Sequence, residues 1–522
     1  MTREFMSRSE QAAKAENRET AAMSLSRPAE APGQFFRRRE RDRAAYLHSV
    51  RAKRFVPNSG HTLFVIDFAA LWVAALALLS AIYSRLDIPT MGQVGLVCVV
   101  SVAIALALLY ACGSYRLDVL ARFSSALGPI PIALPIAALL LTIILHYGFT
   151  NWFPHALIYR SISRCATVAL VEMGASLVVT IWTRTLYIVM ARQHWFKRRL
   201  LVLGTGARAR HLFELLNSEA HRNVTDLVFL PESILGAHVK SSQVPLDYIA
   251  VVGKRRIDEL AQDLRSDGIV IALDERRGLA LDHLLKCKTA GIPVMEYDSF
   301  LERETGRVDL RWLDLAWLVY SPGFSFNVID DVLKRTIDIL ISLVLLAISF
   351  PMLVAAVIAI KLEDKGPIIY RQHRVTLGGR EFTIYKLRTM RTDAESAGAQ
   401  WASVDDPRIT SVGAFLRKSR LDEIPQLVNV LLGDMSLVGP RPERPQFVEM
   451  LSREIPLYPL RHNVRAGVTG WAQINYPYGA SVDDARCKLE YDLYYIKNYS
   501  FLRDISIILQ TFRTLVLRKG GR

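Results

Sequence analysis

Four long apolar stretches, at 62–84, 94–110, 130–145 and 166–190, dominate the first third of the chain. A helix needs about 20 apolar residues to cross a bilayer, so the first and fourth are long enough to span. The second reaches that length only if Cys112 and its neighbours are included. The third is short, and Pro129, Pro131 and Pro135 predict an irregular start. Asp67, Glu172 and Arg184 fall inside these stretches and must face the interior of a helical bundle. Lysine and arginine fix the orientation. Arg37, Arg38, Arg39, Arg51, Lys53 and Arg54 precede the first stretch, and Lys197, Arg198 and Arg199 follow the fourth. Four crossings put both basic flanks in the cytoplasm. Arg116 and Arg122 agree with that orientation, whereas Arg160 and Arg164 run against it.

At 198–216 the pattern switches to a short apolar strand, a glycine turn and helical spacing. Further strands are predicted at 226–230, 248–253 and 268–273, giving a parallel sheet with helices between its strands. Gly204, Gly206 and Ala209 match the G-x-G-x-x-A fingerprint in a strand–turn–helix context, and a dinucleotide could sit on the helix opening near Ala207. No acid stands clearly about 20 residues further on, Glu232 being the nearest, so a nucleotide-free Rossmann-like spacer is the stronger reading.

A fifth apolar segment lies within 333–367 and is interrupted by Ser349-Phe350-Pro351. Proline removes a backbone hydrogen bond and predicts a bend, with the serine hydroxyl available to a broken backbone. Each half, of about 12 residues, rises roughly 18 Å, or half a bilayer. The segment therefore reads as a re-entrant helix hairpin. A kinked fifth crossing would carry Lys361 and everything after it out of the cytoplasm, away from nucleotides.

Composition fits this outline. The 522 residues suggest three or four units, and 51% hydrophobic residues with mean hydropathy +0.20 point to membrane segments. A net charge of +15 suits phosphorylated substrates and anionic lipid. Five scattered cysteines without a Cys-x-x-Cys pair argue against a disulfide framework or a zinc site. The polar stretch to about Ala44 reads as a disordered tail without a cleavable signal. The expected fold class is an integral membrane α-helical N-terminal bundle, an α/β Rossmann-like middle domain and an α/β catalytic domain. Its units are a tail at 1–58, four membrane helices at 59–193, the Rossmann-like domain at 197–320, the re-entrant helix at 331–363 and the catalytic domain at 364–522.

The last unit concentrates cations, namely Arg371, Arg374, Lys386, Arg388, Arg417, Arg441 and Arg465. A pyrophosphate is neutralised well by such groups. Among them stands the adjacent pair Asp422 and Glu423. Neighbours on a helix diverge and do not share a proton, which disfavours a paired acid/base arrangement. A division of labour is possible instead, with one carboxylate attacking phosphorus and the other holding a hard cation such as Mg²⁺. Pro425 predicts a helix start just beyond, so the acids could equally be satisfying a helix terminus. Gly439-Pro440-Arg441-Pro442 is a rigid turn presenting one guanidinium.

From about 334 to 510 the chain resembles the bacterial sugar transferases, the polyprenyl-phosphate hexose-1-phosphate transferases. The residues that carry this are Lys334, Arg335 and Asp338, "KLRTM" (386–390), "RKSRLDEIPQLVNVLLGDMSLVGPRP" (417–442), "GVTGWAQIN" (467–475) and the region from Asp492 to Asp504. The helical start and Rossmann-like insert are similar to the larger members. The resemblance implies transfer of a hexose 1-phosphate, glucose or galactose, from a UDP-sugar to undecaprenyl phosphate, with release of UMP. It makes Asp422 the nucleophile of a covalent aspartyl intermediate, Glu423 the Mg²⁺ ligand, and Arg417 and Arg441 the catalytic arginines. It implies substrate contacts at Lys386, Arg388, Pro440, Pro442, Arg465 and Asp492. It also implies a multi-pass protein of the bacterial inner membrane with a cytoplasmic catalytic domain, lipid contacts and no nucleic-acid partner; a homo-oligomer is compatible. Two positions depart from the family pattern. Phe350 separates Ser349 from the hairpin proline, and Ala466 stands where proline is usual, which predicts a softer turn.

Other classes are disfavoured. A nucleotide-sugar oxidoreductase or dehydratase needs Tyr-x-x-x-Lys, and a metal-dependent glycosyltransferase needs Asp-x-Asp; neither motif is present. A non-enzymatic scaffold sensing a nucleotide near Gly204 could coexist with the transferase.

Overall fold

A computed structural model describes residues 59–82, 91–120, 123–149, 160–193, 195, 197–217, 225–231, 244–245, 248–249, 256–275, 279, 281–313, 315–325, 327–363, 366–392, 394, 406–476, 479 and 481–516. The N-terminal tail, Arg122, Glu232 and the end of the strand expected at 248–253 lie outside these residues.

The first apolar stretches form α1 (Ser59–Ile82) and α2 (Met91–Ala111). The second gains its length at the N-terminal side, from Met91, and does not need Cys112. The third starts irregularly. A short helical turn, Phe123–Leu127, breaks at Gly128-Pro129, and α3 (Ile130–Ile143) then begins with Pro131 in its first turn, where a missing N–H costs nothing. A π-turn, Ile144–Phe149, extends it. The fourth stretch is α4 (Ile162–Arg192). Leu71, Val97, Leu141 and Val168, one from each helix, share a single apolar core. The charges inside these helices face inward. Arg184 Nη1 donates to both oxygens of Asp67 at 3.0 and 2.8 Å, and Thr183 and Tyr115 hydroxyls donate to the same carboxylate. A buried ion pair persists only when its lone pairs are taken up in this way.

The middle domain is β1 (Arg198–Leu203), α5 (Ala207–Leu216), β2 (Thr225–Leu230), α6 (Ile257–Asp263), β3 (Gly268–Ile271), α7 (Leu281–Thr289), β4 (Val294–Glu296) and α8 (Tyr297–Thr305). The four strands are parallel in the order β2-β1-β3-β4. Within the strand expected at 248–253, Ile249 makes an isolated bridge to Phe229 of β2. At the glycine turn, Gly204 adopts φ +117°, and a Cβ there would lie 2.5 Å from Ala272 O, so both backbone and space call for glycine. The Asp274 carboxylate accepts from the backbone N–H groups of Ala207 and Arg208 at 2.9 and 3.1 Å. Gly206 makes room for that carboxylate, since a Cβ would lie 2.1 Å from Asp274 Oδ2. The position a pyrophosphate would take at the N-terminus of α5 is thus filled by the protein's own acid. The roles of Gly204, Gly206 and Ala209 here are a tight turn, room for Asp274, and packing of α5 on the sheet.

The fifth apolar segment is one helix, α9 (Val328–Glu363), with Pro351 inside it. The expected interruption into non-helical backbone does not occur. The Ser349 hydroxyl donates to Leu345 O, four residues back, and not to Ala347 O, the carbonyl that proline frees. Such back-bonding is compatible with a continuous, bent helix. Both ends of α9 are tied down, whereas Leu343, Ile348, Phe350 and Met352 between them expose apolar surface.

The catalytic unit continues as the antiparallel hairpin β5 (Ile369–Val375) and β6 (Glu381–Leu387), then α10 (Ser411–Ser419), α11 (Gln426–Leu432), β7 (Met435–Val438), α12 (Pro445–Glu454) and β8 (Ala466–Thr469), which runs parallel to β7. Three helices complete it: α13 (Trp471–Asn475), α14 (Val482–Lys497), opened by a Ser481–Asp484 capping box, and α15 (Phe501–Val516). The Lys-Arg-x-x-Asp start of α9 is its root. Lys334 and Asp338, four apart on one face, reach β7: Lys334 Nζ donates to Val438 O at 2.9 Å and pairs with buried Asp504, while Asp338 accepts from Leu437 N at 3.0 Å. Arg335 donates to Val430 O and Leu431 O, carbonyls in the last turn of α11, the first of which also accepts from Gly433 N. At the other end, Lys361 donates to Gly366 O, Glu363 accepts from Val412 N, and Ala356 and Ile360 pack on Leu387, Leu416 and Leu421.

Candidate active site

Asp422 and Glu423 lie in a 3₁₀ turn, Leu421–Glu423, between α10 and α11. The turn forms because Arg420 ends α10 in the left-handed region, φ 59°, with its N–H on Arg417 O. A non-glycine residue there costs about 1 kcal/mol. Pro425 then precedes Gln426, the first residue of α11. Asn429 locks this helix to β6, accepting from Tyr385 N at 3.1 Å and donating to Thr383 O at 2.8 Å. The two acids diverge, as adjacent residues must, and enter different surroundings.

Glu423 sits among cations. Arg441 Nη2 donates to its Oε1 at 2.8 Å, Lys386 Nζ donates to the same atom at 3.3 Å, and Arg420 stands 3.6 Å from Oε2. Burial opposes its ionisation, but Arg441, Lys386 and Arg420 together outweigh that and hold the carboxyl well below the usual range. Burial pushes Lys386 down, against the pull of Glu423. Asp422 is buried too, yet its Oδ1 has no hydrogen-bond partner. Burial, with the negative charge of Glu423 added, raises its pKa to about 6, against the counteracting Lys386, Arg417 and Arg420. One acid is therefore a fixed anion and the other an ionisable group with a free lone pair.

Arg441 reaches the site through three glycines that allow two backbones to cross. A Cβ on Gly439 would lie 2.2 Å from Arg465 O, one on Gly467 2.1 Å from Gly439 N, and one on Gly470 2.1 Å from Gly439 O. Pro440 and Pro442 are buried on either side and stiffen the turn. From beneath, Arg461 Nη2 donates to Arg441 O at 3.0 Å and to Asp492 Oδ2 at 2.9 Å. Arg441 Nη1 donates to Gln473 Oε1 at 3.3 Å. The turn at Ala466 is not soft. Its N–H, which proline would lack, donates to Thr376 Oγ1 at 3.1 Å, and Thr376 donates in turn to Asp434 O.

The structure thus gathers Asp422, Glu423, Lys386 and Arg441, with Arg417 oriented by an Nε hydrogen bond to Thr389 at 2.9 Å. Asp492 stands behind the site, holding Arg461. Arg388 is buried against Gly366, and Arg465 is exposed. None of these three shares a described hydrogen bond or ion pair with the acid pair. Sequence reasoning missed Arg420, Arg461 and Gln473. Arg420 stands two positions before Asp422 and Gln473 lies within "GVTGWAQIN", so both fall in quoted motifs that give them no individual role, whereas nothing local marks Arg461.

The opposite environments of the acids have opposite consequences for stability. The pKa of Asp422 in the folded protein lies above the ordinary 3.8, so ionising it costs stability as pH rises from about 4 to 6. Asp422→Asn is expected to raise the melting temperature at pH 7.5, with the gain vanishing at pH 4. Glu423→Gln, which leaves the cations uncompensated, is expected to destabilise the protein at pH 7.5 by about 3 kcal/mol. Thermal melts of both variants at the two pH values check this.

Residues 329–518, from α9 to just beyond α15, match the family model described as bacterial sugar transferase. The chain is 43% identical over 274 residues to a UDP-N-acetylgalactosamine-undecaprenyl-phosphate N-acetylgalactosaminephosphotransferase of Aeromonas hydrophila; the match covers 52% of this chain and 62% of that relative. It is 42% identical over 202 residues to the UDP-glucose:undecaprenyl-phosphate glucose-1-phosphate transferase of Caulobacter vibrioides, covering 38% of this chain and 76% of the relative. Its counterpart in Escherichia coli is 40% identical over 185 residues, 35% and 40% of the two chains. The chain therefore belongs to the bacterial sugar transferase family.

Proposed function

We propose that the protein transfers a sugar 1-phosphate from a UDP-sugar to undecaprenyl phosphate, releasing UMP, with Asp422 as nucleophile. The observation that carries this is the contrast within the acid pair. Glu423 is neutralised by three cations, while Asp422, beside it, keeps a buried oxygen free of hydrogen bonds. A carboxylate with a pKa of about 6 is ionised at neutral pH and more nucleophilic than an ordinary one. Asp422 attacks the sugar-bearing phosphorus, the bond to UMP breaks, and an aspartyl phosphosugar remains. A phosphate oxygen of the lipid then attacks the same phosphorus and displaces Asp422, giving a lipid diphosphosugar. Exchange between phosphoanhydride and acyl phosphate needs positioning and charge neutralisation more than driving force. Arg441, Lys386, Arg417 and Arg420 supply both.

Mg²⁺ fits this donor set when it arrives with a diphosphate. Asp422 Oδ1 is unbonded and Glu423 Oε2 meets only an arginine at 3.6 Å, so carboxylate oxygens remain for a hard cation that takes its other ligands from phosphate and water. Glu423 would hold it, and it would offset charge on the transferred phosphoryl group. The relatives' names broaden the donor from glucose or galactose to N-acetylhexosamines. UDP-glucose, UDP-galactose and their N-acetylated forms are therefore tested side by side for UMP release. At least one should yield UMP, with a rate that rises as pH passes about 6 from below. Asp422→Asn should reduce the rate by at least about a thousandfold and Arg441→Ala by about a hundredfold. Full activity in Asp422→Asn would refute the assignment.

The same reading places α1–α4 as four crossings of the bacterial inner membrane, with the catalytic domain cytoplasmic and α9 re-entrant. Both ends of α9 are bonded to one catalytic unit, which supports entry and exit on one face. The turn after α2 supports the same side: Ser506 Oγ donates to Ala111 O, and Arg513 to Cys112 O. Single cysteines at Val332 and Leu362, in a background lacking the native five, should react with an impermeant thiol reagent from the same side. Labelling from opposite sides would make α9 a crossing.

A further inference from the structure

Trp471 opens a five-residue helix and meets both the Rossmann-like domain and the turn after α2, two regions that the family match leaves out. Its indole N–H donates to Gly306 O at 2.7 Å, and Gly306 ends α8 of the Rossmann-like domain at φ 64°. Over the indole, 5.1 Å from its centroid, stands the guanidinium of Arg116, from the turn after α2 of the membrane helices. Tyr494 of α14 stacks on the ring at 5.7 Å. Arg116 also grips the other end of the same helix, donating to Asn475 Oδ1 at 2.7 Å, and it reaches Gln510 of α15 at 3.1 Å. Between these two grips stands Gln473, whose Oε1 accepts from Arg441 Nη1.

A helix this short has little stability of its own; its position is set by what holds its ends. We infer that Arg116 and Gly306, acting through Trp471 and Asn475, position Gln473 and thereby Arg441, so that the membrane helices and the Rossmann-like domain set the competence of the active site. This rests on the proposed role of Arg441. Glu423 and Gln473 hold Nη2 and Nη1 of Arg441, and a planar fork gripped at both terminal nitrogens is fixed in direction, a constraint that the loss of Gln473 relaxes. Arg116 and Trp471 are positioning residues: they touch no reacting atom. The Rossmann-like domain, whose glycine turn is filled by Asp274, has on this account a mechanical role that needs no nucleotide.

The test is a pair of double-mutant cycles on the full-length protein in lipid nanodiscs, read as kcat/KM for UMP release. Arg116→Ala, Gly306→Ala and Gln473→Ala should each lower kcat/KM about tenfold. A Cβ on Gly306 would come within 3.2 Å of Trp471 Cζ2, and alanine at φ 64° is itself strained, so that variant disturbs the seat of the indole from the Rossmann side. Neither Arg116→Ala nor Gly306→Ala should lower kcat/KM further once Gln473→Ala is present. Multiplying effects would overturn the inference, because damage unrelated to Gln473 adds to its loss. Should Arg116→Ala melt early, Arg116→Lys, which keeps a cation over the indole but loses the fork, should fall between wild type and Gln473→Ala. Hydrogen exchange without substrate gives an independent readout. Exchange across 439–443 should quicken in Arg116→Ala and Gly306→Ala, and unchanged exchange there would also overturn the coupling. If wild type releases UMP from no donor while exchange responds as described, the reading of function fails and the coupling stands.

Discussion

The hydrogen-bonded ion pair between Arg441 and Glu423 holds the site together. It joins the turn before α11 to the proline-flanked turn after β7, two segments that share no other described ion pair. Without Arg441 and its companions, two adjacent carboxylates, one buried and one largely so, would repel one another and bind protons more readily. With them, Glu423 stays charged in a buried place, and its charge helps to keep Asp422 basic. The raised pKa of Asp422 thus follows from its burial and from the charge that its neighbour keeps.

Other features of the catalytic unit protect that pair. Lys334 and Asp338 fasten β7 to α9, and Arg335 closes the end of α11, so the membrane-associated helix holds both segments that carry the acids and the arginine. Gly439, Gly467 and Gly470 let two backbones approach within hydrogen-bonding distance, with Gly439 N on Thr469 O and Gly467 N on Pro440 O. Arg461 and Asp492 support the turn from below. The seating of α9 is thus tied to β7 and α11, the elements that flank the arginine turn and the acid pair.

Much of this was legible in the sequence because it rests on local chemistry. Apolar length gives the helices, alternation of strand and helix spacing gives the parallel sheet, and Pro129 and Pro131 mark where the third apolar stretch restarts. The acid pair and the arginine announce themselves as charges in a short motif. What could not be read depends on long-range pairing. Asp274 lies 67 residues from Ala207 N, which it caps, and no local signal says that it fills the glycine turn. Asp492, expected at the substrate, is buried and paired with Arg461, which no local signal foretells. Ala466 looks like a weakness until its N–H is found on Thr376. Ser349 bonds the wrong carbonyl for a broken helix, a matter of rotamer and not of spacing.

The separation of the two carboxylates into a fixed anion and a free nucleophile is the claim on which the rest depends, and the bond that nucleophile forms is its most direct test. Purified protein incubated with a UDP-sugar labelled at the sugar-bearing phosphorus, with no lipid acceptor present, should acquire one sugar phosphate per chain. Peptide mapping should place it on Asp422, and the label should be absent from Asp422→Asn. Turnover on addition of undecaprenyl phosphate without any such adduct, or an adduct on another residue, would contradict the account.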